Sequence, residues 1–229
     1  MQVRLLSWNI WVKSYFEHVQ DFLKKSNADI IGLQEVSGND TSRDTVSLLT
    51  NLGYKHVFSP QLRLWAGNGR TDGPAIFTKY EITQSNKYIL SEENGVGAVQ
   101  ADIDVNDETI HFFCTHLSHT HQVDSVVQIE QIDKLLNLIP SQHSVLMGDF
   151  NALPTSKTIL KVKERLLDVD PNNQATWSVY PEGCEVCQPQ KIDIRLDYIF
   201  TTKDLKTHAY NVEESKGSDH LPISVTLEI

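Results

Sequence analysis

Val145-Leu146-Met147-Gly148-Asp149-Phe150-Asn151-Ala152-Leu153-Pro154 is the stretch on which the reading of this chain turns. Its first three residues are an apolar run and read as a short buried strand. Gly148 ends the run, and Pro154 keeps a helix from starting before it. Between them Asp149 and Asn151 stand two apart in extended chain, so their side chains can point the same way. A carboxylate and a carboxamide at a buried strand end destabilise the fold unless something answers them. A hydrogen-bond network, a metal or a substrate would each do so, and so would an Asx-turn that caps the following helix.

Working outward, the sequence reads as a single domain over residues 1–229, with no Pro/Gly/Ser-rich linker, charge block or repeat in its 229 residues. Its apolar fraction of 40% and charged fraction of 22% are those of a soluble globular protein. No apolar run approaches a membrane span. The chain opens as a strand at Met1-Gln2-Val3-Arg4-Leu5-Leu6-Ser7-Trp8, so no signal peptide is expected. Three cysteines make a disulfide framework improbable, and a reducing cytoplasm is the expected compartment. The net charge of −10, with 20 Lys and Arg against 30 Asp and Glu, argues against a surface that grips long nucleic acid.

Apolar periodicity predicts strands at residues 3–8, 30–33, 54–58, 74–77, 99–105, 109–114, 145–147, 196–200, 206–212 and 223–229, and helices at 15–27, 44–52, 123–139 and 155–166. Asn106-Asp107 is a tight hairpin turn. Residues 61–72 read as a loop with Arg63, Trp65 and Arg70, a candidate substrate patch for one or two phosphates and an aromatic group. Residues 172–190 read as irregular and hold Trp177 and Tyr180. The class is α/β (α+β in the mixed-sheet sense).

Polar residues recur where these strands end. Asn9, Glu35, His116, Asp149, Asn151 and Asp219-His220 lie at strand ends, and Asp197 lies inside a strand. Glu35, Asp149, Asp219 and the amide oxygens of Asn9 and Asn151 are hard oxygen donors suited to Mg²⁺ or Mn²⁺. Two histidines beside carboxylates suit proton transfer and charge stabilisation at a phosphate.

Ser7-Trp8-Asn9, Leu33-Gln34-Glu35, Thr115-His116-Leu117, Gly148-Asp149-Phe150-Asn151, Leu196-Asp197-Tyr198-Ile199-Phe200 and Ser218-Asp219-His220-Leu221-Pro222 resemble the ordered motif set of the endonuclease/exonuclease/phosphatase superfamily. Residues 73–80 resemble its internal strand signature. The resemblance implies a DNase I-like fold, a four-layer sandwich of two mixed β-sheets flanked by helices. It implies a hydrolase using Mg²⁺ or Mn²⁺ on a phosphoester, most simply a phosphodiester attacked in line by activated water. It casts Glu35, Asn9 and Asp219 as metal-binding residues. Asp149, Asn151, His116, His220 and Asp197 become the catalytic set, with Asp197 fixing the His220 tautomer. Trp177 and Tyr180 stand where relatives place substrate-facing aromatics. Two departures, Trp11 in place of an acid and His116 in place of a tyrosine, separate the chain from abasic-site endonucleases.

A nuclease or DNA-repair end-processing enzyme, and a catalytically silent binding protein on the same fold, are the competing functions. The charge balance favours a short or end-on phosphoester over a long duplex, and a monomer is expected. Cys184-Glu185-Val186-Cys187 reads as a reduced loop pair, since zinc would need two more ligands and Cys114 falls inside a strand. His119 and His121 read as loop residues, and Trp8 as core.

Overall fold

The computed structural model describes residues 1–63, 68–178 and 180–229. Thirteen strands and four α-helices are found among them: β1 (Gln2–Asn9), α1 (Phe16–Lys25), β2 (Ile30–Ser37), α2 (Thr45–Asn51), β3 (Lys55–Phe58), β4 (Gln61–Leu62), β5 (Thr71–Thr78), β6 (Glu81–Ser91), β7 (Val96–Val105), β8 (Glu108–His116), α3 (Val126–Leu138), β9 (Ser144–Asp149), α4 (Lys157–Lys163), β10 (Leu167–Asp168), β11 (Asp197–Thr201), β12 (Lys206–Val212) and β13 (Ile223–Glu228). One sheet runs β12-β13-β1-β2-β5-β3 with β4 also on β5, and the other runs β10-β11-β9-β8-β7-β6. Each is mixed: β1–β2 and β8–β9 are the parallel pairs, crossed by α1 and α3, and the remaining pairs are antiparallel.

Alternation along the strands assigns the layers. Val3 and Leu5 of β1 face Val145, Met147 and Ile199 of the other sheet in one buried core. Leu6 and Trp8 face outward onto Val19 and Leu23 of α1. In the second sheet Phe113, Leu146 and Tyr198 face outward onto Ile132, Leu136, Ile159 and Val162 of α3 and α4. The result is the expected DNase I-like sandwich, helix on sheet on sheet on helix. Close approach of the sheets explains Gly32: a Cβ there would overlap Met147 Sδ. Gly148 is needed similarly, because a Cβ would overlap the Thr115 carbonyl.

Three elements depart from the expectation. β6, eleven residues long, carries no recognisable alternation because it is a largely exposed edge strand. The stretch expected to be loop over residues 61–72 instead pairs Gln61 and Leu62 with Asp72 and Thr71. The predicted helix over 155–166 is shorter, starting at Lys157 with the Ser156 side chain accepting from Ile159 N. The Asn106-Asp107 turn is as expected, both residues having positive φ, 53° and 66°, in a two-residue hairpin. No helix among the described residues is long and apolar enough to cross a membrane.

Candidate active site

The polar groups at the strand ends are in phase with the inward-facing residues. On β1 the inward set Val3, Leu5, Ser7 continues to Asn9. On β9 the set Val145, Met147 continues to Asp149, which pairs with His116 of β8 on one side and Asp197 of β11 on the other. Strict alternation would send Glu35 outward, because Gln34 points in. A register shift between Leu33 and Val36, with Glu35 at φ 58°, turns it back. Its Oε1 then accepts from Asn9 Nδ2 at 3.1 Å and its Oε2 from Val12 N at 2.8 Å.

Asp219 and His220 arrive on the loop between β12 and β13. Trp8 Nε1 donates to the His220 carbonyl at 2.9 Å, and Ser218 Oγ donates to the Asn9 carbonyl at 2.6 Å, so the loop is pinned to the end of β1. Trp177 Nε1 donates to Asp219 Oδ2 at 3.1 Å. His220 Nδ1 lies 2.8 Å from Asp197 Oδ2, which also accepts from Thr176 Oγ1 at 2.6 Å. The other imidazole nitrogen, Nε2, lies 3.6 Å from Asp149 Oδ2. Asp149 accepts from Asn9 Nδ2 at 2.9 Å and from Asn151 N at 2.8 Å. Arg195, 2% exposed, binds both oxygens of Asp168 at 2.7 and 2.9 Å and fixes the entry to β11.

The electrostatics follow from burial and from the excess of acids. Burial, reinforced by Asp197, raises Asp149 to about 7. Burial and Glu35 raise Asp219 to about 6. Burial alone would depress His220, but Asp197, Asp149 and Asp219 together raise it well above its ordinary value. Burial, then the Arg63 charge, push His116 down to about 3, so its ring is neutral. The floor of the cleft thus holds an imidazolium among carboxylates, two of which are reluctant to ionise.

That excess of oxygen donors tests whether a divalent cation suits the site. Glu35 and Asp219, hard ligands whose mutual repulsion helps raise Asp219, fit Mg²⁺ or Mn²⁺. Asn9 is turned otherwise: its Oδ1 accepts from Trp11 N at 2.9 Å, and its amide nitrogen faces Glu35 and Asp149. In this arrangement Asn9 bridges and orients the two carboxylates.

A cleft of about 640 Å³ opens over these groups, with Asn9, Glu35, His116, Asp149, Asn151, Asp219 and His220 in its lining. A hollow of about 800 Å³ beside α1, lined by Arg4, Phe22 and Glu213 among others, contains none of them. The expected substrate residues divide. Trp65 lies outside the described residues. Arg63 and Arg70 reach the cleft wall. Arg63 is only 7% exposed, and Asp72 Oδ1 and the Gly95 carbonyl hold its guanidinium at 2.7 and 2.6 Å. Arg70 Nε donates to the same Asp72 at 3.0 Å. Trp177 lines the cleft but is 2% exposed and serves Asp219. Tyr180 is not part of the lining: its ring stacks on Trp11 with centroids 5.9 Å apart, and its hydroxyl donates to the Lys216 carbonyl at 2.7 Å.

Sequence reasoning missed Thr176 and Arg195, which hold Asp197 from 21 and 2 residues away. It also separated residues that the fold brings together. His119, His121, Cys184 and Cys187, read as unrelated loop residues, converge beside the cleft. Cys114 takes no part: it is buried between the sheets, its thiol pushed up to about 12 by that burial. Asn151 stands between the two groups. Its Nδ2 donates to the Leu117 carbonyl at 3.0 Å and faces His116 Nε2 at 3.0 Å, while its Oδ1 faces His119 Nδ1 at 2.9 Å.

Two facing mixed sheets with acids and imidazoles at one end define the class of protein. The profile of the Endonuclease/Exonuclease/phosphatase family matches residues 6–220, and the chain belongs to that family. No curated protein matches it. Among solved structures it is similar to an endonuclease/exonuclease/phosphatase from Bacteroides vulgatus, with TM-score 0.80, 19% identity, and 100% of this chain and 99% of that chain covered. It is also similar to ANGEL2, a 2′,3′-cyclic phosphatase, in complex with adenosine-2′,3′-vanadate, with TM-score 0.74, 16% identity, and 99% and 95% covered. A third similar structure is a mannosyl-6-phosphatase of Bacteroides thetaiotaomicron VPI-5482, with TM-score 0.71, 17% identity, and 99% and 100% covered. At these identities the likeness establishes the fold.

Proposed function

We propose that this chain is a divalent-metal-dependent phosphoesterase that cleaves a short phosphodiester by in-line attack of water. One observation carries the reading: the buried Asp197–His220 pair, at 2.8 Å, presents its outer nitrogen 3.6 Å from Asp149 at the floor of the cleft. Raised to about 7, Asp149 is poised as a general base near neutral pH. Asn9 and the Asn151 amide, each donating to one of its oxygens, hold it in place for the water. His220 is held charged by its acidic neighbours, so it offers positive charge and an N–H to a phosphoryl oxygen. Asp197, bonded to Nδ1, leaves Nε2 to face the substrate. His116 is neutral and acts through hydrogen bonding rather than charge. Glu35 and Asp219 would hold Mg²⁺ or Mn²⁺, whose chemistry there is to neutralise charge developing on the phosphoryl oxygens.

Charge favours a short substrate over a long duplex. The chain is at −10, and the Lys and Arg residues of the cleft lining, among the described residues, are Lys13, Arg63 and Arg70, the last two sharing Asp72. A surface that follows a nucleic-acid backbone releases counterions through many basic contacts. A silent binding protein fits poorly, since Glu35, Asp149, Asn151, Asp197, Asp219 and His220 are all present and converge.

The test is hydrolysis of bis-p-nitrophenyl phosphate, p-nitrophenyl phosphate and single- and double-stranded DNA, with and without Mg²⁺ or Mn²⁺. The diester should turn over with metal, fail in EDTA and recover when Mg²⁺ is restored. Glu35→Gln should raise the Mg²⁺ concentration needed while leaving the circular dichroism spectrum unchanged. Full activity after exhaustive metal removal would sink the assignment, and preferential cutting of long duplex would replace it with a nuclease.

A further inference from the structure

We propose that His119, His121, Cys184 and Cys187 form a second metal site, a structural Zn²⁺ centre in the wall of the cleft and distinct from its carboxylate cluster. The two histidines come from the loop after β8 and the two cysteines from the long loop before β11. One ligand atom from each lies within 4.8 Å of all the others. The individual separations fit one ion. The sulfur–nitrogen edges are 3.8 and 3.7 Å from Cys184 Sγ and 4.0 and 3.5 Å from Cys187 Sγ, and the nitrogen–nitrogen edge is 3.1 Å. Tetrahedral zinc with Zn–S of about 2.3 Å and Zn–N of about 2.0–2.1 Å requires edges of about 3.6 Å and about 3.3 Å.

The surroundings are those of a metal site. Cys184 and Cys187 are both unbridged. The Cys-x-x-Cys turn sets Cys187 N 3.1 Å from Cys184 Sγ, a backbone donor to a thiolate, and Gln188 N on the Cys184 carbonyl at 2.9 Å. Gln122 Nε2 is buried without a partner while its Oε1 lies 3.3 Å from Cys187 Sγ. Turned over, that amide gives its orphaned N–H to the Cys187 thiolate, which a bound metal requires. His119 is fixed in the tautomer a ligand needs. The Leu117 carbonyl can only accept, so Asn151 faces it with Nδ2 and turns Oδ1 to His119. His119 must then donate from Nδ1, which leaves Nε2 bare and directed at the two sulfurs and His121.

The donor set selects the ion. Two thiolates and two neutral imidazoles balance a divalent charge and favour a soft or borderline metal over Mg²⁺. Four protein ligands leave no open position, which marks the site as structural. It joins two loops that wall the cleft, and through His119 it holds Asn151, the residue whose backbone amide orients Asp149. The inference stands whether or not the cleft hydrolyses phosphoesters.

The experiment is a metal analysis of the full chain as purified under reducing conditions. One zinc per chain should remain after dialysis against metal-free buffer, and a thiol-blocking mercurial should release it stoichiometrically to a chromogenic chelator. Exchange with Co²⁺ should give the visible bands of tetrahedral cobalt and near-ultraviolet thiolate charge transfer. Cys187→Ser and His121→Ala should lose the bound equivalent with the strand and helix dichroism retained, and His121→Cys should keep it with added thiolate charge transfer. Three results would overturn the site. One is reduced, folded wild type that takes up neither Zn²⁺ nor Co²⁺. Another is a metal-free Cys184–Cys187 disulfide in the protein as purified. The third is Cys187→Ser binding metal as the wild type does.

Discussion

Replacing Asp219 with asparagine would expose the electrostatic cost built into the cleft. Asp219 is 3% exposed, and its carboxyl is raised from 3.8 to about 6 by burial and by Glu35. At ~1.36 kcal/mol per pKa unit, that rise means that ionised Asp219 costs the metal-free fold about 3 kcal/mol. The amide keeps an acceptor for Trp177 Nε1 and removes the charge. Because burying an amide has its own cost, about 3 kcal/mol is a ceiling on the gain. For a chain of this size that corresponds to at most about 6–12 °C in Tm.

The sign against pH is fixed. A raised carboxyl makes the folded state bind more protons than the unfolded one, so wild type loses stability as pH rises from about 4 to about 6 and the penalty is then constant. His220 contributes in both proteins: its raised folded value gives stability that is fully present below the unfolded pKa and lost as pH rises through the folded one. Urea unfolding followed by circular dichroism without added Mg²⁺ should show no difference between variant and wild type near pH 3.5, a gap opening between pH 4 and 6, and a plateau to pH 8. Mg²⁺ at 100 times its Kd for wild type should stabilise wild type by about 2.7 kcal/mol and so narrow or close that gap. A variant no more stable than wild type at pH 8 without Mg²⁺, or a gap that ignores pH, would refute the reasoning.

Asp197→Asn should slow turnover by on the order of 10³–10⁴-fold, as expected for a buried carboxylate that orients a catalytic imidazole and helps to hold it charged. Combined with His220→Ala it should add little further loss, because the pair acts as a unit, and single-turnover kinetics giving the product of the two defects would separate them. Asp72→Ala leaves the 7% exposed Arg63 without its carboxylate and should cost about 3–5 kcal/mol in urea unfolding, with Asp72→Asn losing less.

Most of the sandwich was legible because its inner strands, buried on both faces, are short apolar runs, and their period of two carries straight into the site. Asn9, His116 and Asp149 are the next inward positions after runs such as Val145 and Met147, and Asp197 is the inward position just before Ile199, so a reader who phases the strand also phases the chemistry. Glu35 breaks the phase, and its place in the cleft depends on a left-handed residue that no apolar pattern announces. β6 was illegible for the opposite reason: an exposed edge strand has no buried face to impress on its sequence. The sequence showed Arg63 as a basic residue in a glycine-rich stretch but not what holds it in the cleft wall, which is Asp72 and the Gly95 carbonyl.

The His119–Cys187 cluster teaches a different lesson, since its two halves were visible and their meeting was not. His-x-His and Cys-x-x-Cys are each weak signals, and more than sixty residues separate them. Topology supplies the connection. β8 and β11 flank β9, so the loop leaving β8 and the loop entering β11 emerge side by side at the end where Asp149 sits. Asn151 then becomes the point of contact, one amide shared between a carboxylate site and a sulfur–imidazole site. The proposed sulfur site would exclude Mg²⁺, which gains little from thiolates, and zinc held there would have no open position for water. A chelator should therefore act in two stages. The first is a fast loss of activity that Mg²⁺ restores. The second is slower, loosens Asn151, and needs zinc as well as Mg²⁺ to reverse. A single-stage loss fully restored by Mg²⁺ from protein shown to have lost its zinc would disconnect the two sites.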